Sequence, residues 1–250
     1  MSKFRIVITG STGFIGKNVM NHLDKLGYEI DTISTQEFMT EDWSRLDDFQ
    51  LDDRGGPTHV IHCAWPREGD LQSNVHMEFA EHTTNFFDEC AKRGIKVINI
   101  GSSSEYGPKD EPMREDMICE PISTYGIAKL AVTLHAKRHG FNTLRVFTAY
   151  GEGGHSFMDI MDKADKYTSP FHTRHYIAAS DVAIAVERVI HAQHLYGGVI
   201  NLAAGSISDN IKVIDGVDIF NEKWHKYPQR QYEPRRWEAD LTKMNKLINI

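Results

Sequence analysis

The sequence predicts an α/β fold, a parallel sheet with helices on both faces. Three observations carry the prediction. Short β-branched and apolar runs alternate with longer segments of helical periodicity through residue 150. The first run passes directly into a glycine-rich turn and then a helical pattern. The chain has 250 residues, 40% hydrophobic and 25% charged, enough for one large domain with a small lobe.

Phe4 to Thr9 reads as a buried strand. Gly10-Ser11-Thr12-Gly13-Phe14-Ile15-Gly16 follows, then a helix through Leu23 and Leu26 to Gly27. In a nucleotide site each glycine has a task. Gly10 permits the tight turn, Gly13 lets the backbone approach a diphosphate, and Gly16 lets helix and strand pack closely. The helix N-terminus adds free N–H groups and a positive dipole end. Glu29 to Ile33 reads as the second strand, whose end would meet an adenosine ribose. An acid there would bond the 2′-hydroxyl of NAD and repel the 2′-phosphate of NADP. Ser34 and Thr35 are uncharged, which tilts the expectation to NADP(H). NAD(H) stays open, with Asp31 as an alternative contact.

A short helix is expected around Trp43 to Phe49, within an acidic stretch. His59 to Ala64 reads as a strand. His59, His62 and Cys63 alternate between its faces and no further ligand cluster follows, so no metal site is expected. Trp65 and Pro66 open a loop at the strand's C-terminal end, where ligands bind in open α/β sheets. Asn74 to Arg93 reads as a helix with Phe79, Thr83, Phe86, Phe87 and Cys90 on its core face. Val97 to Ile100 is the next strand. Ser102, Ser103 and Ser104 follow, and one of their hydroxyls can polarise a substrate carbonyl.

Pro121 and Ser123 precede a helix that Gly140 can stop, with Ile127, Leu130 and Leu134 at helical spacing. It carries Tyr125 and Lys129, four residues apart and so on one face. A nearby ammonium favours phenolate and brings the phenol nearer the range useful for acid–base work. Thr143 to Phe147 is a further strand, Asp181 to His191 a helix with Val182, Ala185, Val186 and Val189 inward, Gly198 to Leu202 a strand, and Ala239 to Ile248 a last helix.

The formal net charge of −7 disfavours a nucleic-acid binder, although Lys223 to Arg236 is locally basic. Cys63, Cys90 and Cys119 are odd in number and scattered, which points to reduced thiols and a cytoplasmic protein. There is no run of about 18 apolar residues, so no membrane span is expected. The first strand begins almost at once and leaves no room for a signal peptide.

Together these motifs resemble the extended short-chain dehydrogenase/reductases, the nucleotide-sugar epimerase/dehydratase/reductase family. Thr9 to Gly16 is similar to its dinucleotide motif, Val60 to Ala64 to its strand motif ending in alanines, and Ser102 to Gly107 to its serine/threonine motif. Pro121 to Lys129 matches Pro-x-x-x-Tyr-x-x-x-Lys, and Leu144 to Gly151 is similar to Leu-Arg-x-Phe-Asn-x-Tyr-Gly. Arg174 to Ile177, Asp181 to Ala183, and Asn201-Leu202 follow in the family's order. The resemblance implies a Rossmann-type doubly wound parallel sheet with a small, reduced C-terminal substrate lobe. The dinucleotide-binding core would span about 1–150 plus 175–205. Residues 151–174 and 206–250 would face the substrate.

By the same resemblance Tyr125 would be the acid/base, Lys129 would hold the nicotinamide ribose, and Ser103 would bind the reacting oxygen. Counting from the strand selects Ser103, whereas counting back from Tyr106 selects Ser102. Gly10 to Gly16, Ser34, Cys63, Ala64 and Trp65, with Tyr125 and Lys129, would hold the cofactor. Ser104, Glu105, Thr148 and Arg174 would meet the substrate. The implied activity is 4-ketosugar reduction with NADPH on a nucleotide-linked sugar. An NAD-retaining epimerase or a 4,6-dehydratase is the alternative. The dehydratase's usual Asp-Glu pair reads Ser104-Glu105 here, and Thr148 and His175 replace a usual Asn and Asp. A non-catalytic dinucleotide sensor is the alternative of another class, and the intact Ser103, Tyr125 and Lys129 argue against it. A homodimer through the helices at Asn74 to Arg93 and Thr124 to His139 is expected from the family.

Overall fold

β1 (Arg5–Thr9) is buried along its whole length, as a β-branched run between two layers must be. The computed structural model describes residues 4–41, 43–48, 58–154, 173–192, 197–203 and 236–248. Within them β1 pairs with β2 (Glu29–Ile33) on one side and β3 (His59–His62) on the other. β4 (Lys96–Ser102), β5 (Asn142–Val146) and β9 (Val199–Leu202) complete a six-stranded parallel sheet in the order β2-β1-β3-β4-β5-β9. The predicted parallel sheet with helices on both faces is therefore present. The strand order reverses between β1 and β3, which opens a crevice at their C-terminal ends.

Strand residues alternate between two cores. Ile6, Ile8, Ile61, Ile98, Leu144 and Ile200 pack with α1 (Phe14–Lys25), α6 (Ala179–His191) and α7 (Thr242–Ile248). Val7, Val60 and Val97 face the opposite layer, where α4 (Val75–Lys92) and α5 (Thr124–Arg138) supply Phe86, Phe87, Ala128 and Val132. Between β2 and β3 lie α2 (Thr35–Met39) and α3 (Arg45–Asp48). The sequence suggested only the second of these. Phe38 of α2 is fully buried and stacks on Phe79 at 5.1 Å.

Two expectations about helices change. Ile127 and Leu134 are 46% and 58% exposed, and α5 instead buries Gly126, Ala128, Lys129, Val132, Thr133 and Ala136. Small residues face the sheet because a Cβ on Gly126 would lie 2.5 Å from the Ser104 carbonyl oxygen. The last helix begins at Thr242, because Arg236–Trp237 forms β10 against β7 (Thr173–Arg174) and Ala239 bridges to Met113. β6 (Thr148–Tyr150) pairs with β8 (Tyr176–Ala178) beside them. The basic stretch at 223–235 and most of the 151–173 segment lie outside the described residues. No described helix is long and apolar enough to cross a membrane.

His62 is a core residue, its ring 2.8 Å from Thr9 Oγ1. Burial, helped by the Lys129 ammonium, pushes its pKa down to about 3. The unfolded chain binds the extra proton below about pH 6.5, so stability present above that value is lost as pH falls. For His62 alone the expected loss between about pH 6.5 and pH 4 is about 3 kcal/mol. Urea unfolding at both pH values checks it, and His62→Gln should flatten the dependence.

Candidate active site

The turn after β1 is built for close approach. Gly10 has φ +67°, a conformation glycine adopts freely. A Cβ there would lie 2.6 Å from Ala64 Cα, and one on Gly16 would lie 2.2 Å from the Gly10 carbonyl oxygen. Gly13 is the N-cap of α1 and no side chain caps the helix. The first-turn N–H groups therefore lack intrahelical partners. Gly13, Phe14 and Ile15 line a cleft of about 480 Å³. Bare backbone donors, a positive dipole end and no obstructing side chain fit the diphosphate of a dinucleotide. Gly16→Ala is expected to cost about 1–3 kcal/mol by overpacking and to abolish dinucleotide binding. Thermal unfolding and calorimetric titration with NADH read the two effects. Normal binding by that variant would sink the cradle reading.

β4 and α5 bring the other half of the site to the same cleft. Ser102 ends β4, and Ser103–Glu105 forms a single 3₁₀ turn. Ser123 caps α5 by accepting from the Gly126 N–H at 3.0 Å, which sets Tyr125 and Lys129 in the first turns. Ser102, Ser103, Ser104, Tyr125 and Lys129 all line the cleft, as do Cys63, Trp65 and Thr148. Tyr125 stands edge-on to Trp65 and His76, at 5.9 and 5.2 Å.

The proton chemistry differs from the expectation drawn from spacing. Burial raises the Tyr125 pKa above the usual tyrosine range, opposed by a hydrogen bond with Ser102. Lys129 Nζ donates to the Ile100 carbonyl oxygen at 2.9 Å and lies 3.8 Å from the Trp65 ring centroid. Burial lowers its own pKa to about 8. The neighbouring Cys63 thiol is pushed up to about 12 by burial, although the Lys129 ammonium opposes this, so it stays protonated at neutral pH.

Several expected site residues are placed elsewhere or otherwise engaged. Ser103 Oγ accepts from the Trp237 indole N–H at 2.6 Å, and Ser102 Oγ accepts from the Ser104 N–H at 3.1 Å. Glu105 does not line the cleft. It is fully buried, 2.7 Å from Arg145 Nε, and also accepts from the Ser102 N–H. Ser34 is the N-cap of α2, in a reciprocal capping box with Glu37. Ala64 supports the turn through its backbone, against Gly10. Arg174 lies in β7 opposite Trp237, and its side chain lies outside the described residues.

Trp237 and His76 were missed by sequence reasoning. Trp237 sits in a polar tail with no periodic signal, and tertiary pairing alone carries it into the cleft. His175 fixes that pairing. Its N–H donates to the Trp237 carbonyl oxygen at 3.0 Å, and its Nδ1 accepts from the Ala239 N–H at 3.0 Å.

A family model described as the NAD dependent epimerase/dehydratase family matches residues 6–203. An ADP-L-glycero-D-manno-heptose-6-epimerase of Alkalilimnicola ehrlichii is 26% identical over 171 residues, 58% of this chain and 53% of that protein. The chain spans about half the length of the curated relatives it matches. Among solved structures, MoeE5 in complex with UDP-glucose and NAD superposes with a TM-score of 0.75 at 21% identity, over 98% of this chain and 92% of that one. A dTDP-4-dehydrorhamnose reductase from Clostridium acetobutylicum superposes with a TM-score of 0.73 at 18% identity, over 98% and 91%. These structural likenesses are to the fold.

Proposed function

The chain belongs to the NAD-dependent epimerase/dehydratase family, and from that premise we propose that it transfers hydride at a carbinol or keto carbon of a nucleotide-linked sugar, most simply as a 4-ketosugar reductase. One observation carries the reading. The Tyr125 phenol, Ser102 and Lys129 line the same cleft as the glycine turn at Gly13. Burial keeps that phenol protonated, which suits a donor to a ketone oxygen.

In this reading Ser102 hydrogen-bonds the sugar oxygen and Tyr125 exchanges its proton. Lys129, buried beneath Trp65, contributes positive charge to the pocket and a hydrogen bond to the nicotinamide ribose. A bound nicotinamide supplies the hydride. Gly10 to Gly16 hold the diphosphate, and Ser103, Ser104, Thr148 and Trp237 border the sugar. The segment carrying Trp237 borders the substrate side, and the 151–174 segment proposed for the same role lies mostly outside the described residues.

Glu37 changes the dinucleotide expected. Its carboxylate sits at the end of β2, accepting from the Ser34 N–H at 2.8 Å, and Ser34 Oγ is occupied by the Glu37 N–H. A carboxylate there can accept from a ribose 2′-hydroxyl and repels a 2′-phosphate. This favours NAD(H) over the NADP(H) that the uncharged Ser34 suggested. It also supports a second reading, an epimerase that returns the hydride to its own product. A dehydratase is disfavoured, because Glu105 is sealed beneath the site. The exposed Met77, Ile127 and Leu134 on α4 and α5 support a homodimer through these helices. The three unpaired cysteines support a reducing compartment.

The test is calorimetric titration with NAD, NADH, NADP and NADPH, followed by turnover with UDP- and dTDP-4-ketosugars. The expected result is tighter binding of NADH than NADPH and net consumption of reduced dinucleotide. NAD that copurifies without exchange would select the epimerase. Binding of none would overturn the proposal.

A further inference from the structure

Outside the cleft, three side chains from two helices aim their ligating atoms at one place. His135 and His139 are four residues apart on α5, so their imidazoles share a face. Asp88 stands opposite on α4. Nε2 of His135 lies 2.8 Å and Nε2 of His139 2.6 Å from the same oxygen, Asp88 Oδ1. The ligating atoms of all three lie within 4.8 Å of one another. The rings stand edge to face with centroids 5.0 Å apart, so both present Nε2 to one centre without clashing. In the single chain, side-chain exposures of 18, 22 and 43% for His135, His139 and Asp88 leave the group open to solvent. None of the three lines the cleft, and the proposed reaction uses none of them.

We propose that Asp88, His135 and His139 form a binding site for a zinc-class divalent transition metal, which ties α4 to α5. Two imidazole nitrogens and one carboxylate oxygen suit Zn²⁺, Co²⁺ or Ni²⁺ and are a poor match to the all-oxygen preference of Mg²⁺ or Ca²⁺. Bonds of roughly 2.0–2.2 Å in a tetrahedral site place ligating atoms about 3.3 Å apart. Both Nε2–Oδ1 separations must therefore open by roughly half an ångström, within the reach of partly exposed rotamers. Asp88 Oδ1 can only accept, so each Nε2 donates its N–H in the metal-free protein and must give up that proton to ligate. The hydrogen-bonded trio thus holds the ligands close to their metal-bound positions. Solvent completes the coordination, as in sites with three protein ligands.

The experiment is calorimetric titration of EDTA-stripped full-length protein with ZnCl₂, with MgCl₂ as the hard-cation control and metal content measured after dialysis. The expected result is one retained equivalent of zinc and no response to magnesium. His135→Ala and His139→Ala should each weaken zinc binding at least tenfold. Asp88→Asn should weaken it similarly, and a zinc-dependent rise of the midpoint lost in this variant beyond any metal-free change separates ligation from a folding defect. Zinc should raise the midpoint of the unmodified protein alone. The chain carries 13 histidines, so zinc held elsewhere is a defined outcome. Equal affinity in the His135→Ala/His139→Ala double variant overturns the proposal, as does the absence of a tight equivalent.

Discussion

Tyr125→Phe is expected to slow hydride transfer by about 10²–10⁴-fold while leaving dinucleotide affinity within about twofold. The substitution deletes one hydroxyl and keeps the ring, so the edge-on contacts with Trp65 and His76 survive. What disappears is the hydroxyl proposed as the proton donor. Single-turnover oxidation of bound NADH by a ketosugar measures the loss, and calorimetry measures the binding. Ser102→Ala should also slow the step, by a smaller factor, because it removes a polarising hydrogen bond but leaves the proton carrier. Ser103→Ala should act less on the chemical step, since that hydroxyl is engaged by Trp237. A Tyr125→Phe enzyme with unchanged turnover would end the proposal that this phenol carries the proton.

Arg145→Ala is expected to destabilise the fold by about 3–5 kcal/mol, the range for removing one partner of a buried ion pair. Arg145 and Glu105 are 3% and 0% exposed, and the guanidinium also lies 4.4 Å from the Tyr106 ring centroid. Burial alone raises the Glu105 pKa, and Arg145 opposes that rise. Without Arg145 the carboxylate is left buried and uncompensated, and it takes up a proton or draws in water. Its bond to the Ser102 N–H would weaken, so the damage reaches the serine turn. Urea unfolding measures the cost. The double variant Arg145→Met/Glu105→Gln should recover much of it, because both charges are then gone. A cost no larger for Arg145→Ala than for the double variant would show that the ion pair is not what holds this turn.

The six strands of the main sheet were legible as mostly apolar, β-branched runs bounded by turn residues, and the parallel sheet followed from their alternation with helices, whereas the two- and three-residue strands β6, β7, β8 and β10 were not. The glycine turn was legible because glycine is demanded at Gly10 and Gly16 by contacts that any Cβ would break. The extent of α5 was legible from Ser123 and Gly140, but its orientation was not. Leu134 carries the stronger hydrophobic signal, yet Ala128 and Ala136 are the residues buried, because only small side chains let the helix come this close to β4. Glu105 looked like a substrate contact because the family resemblance aligns Ser104-Glu105 with an Asp-Glu pair. The 3₁₀ turn points it inward, toward a cation forty residues later in the chain.

The sequence by itself determined the fold class, the glycine cradle and the pairing of Tyr125 with Lys129 on one helix, because each depends on short-range periodicity, caps and sterics. Tertiary structure alone decided that Ser103 is engaged by Trp237, what the Lys129 ammonium faces, and that Trp237 enters the cleft. It also decided that Asp88 meets His135 and His139. The physical reason is common to all four. Each depends on the direction of a side chain relative to an element distant in sequence, and burial, not spacing, sets the charge and proton state of the groups that meet there.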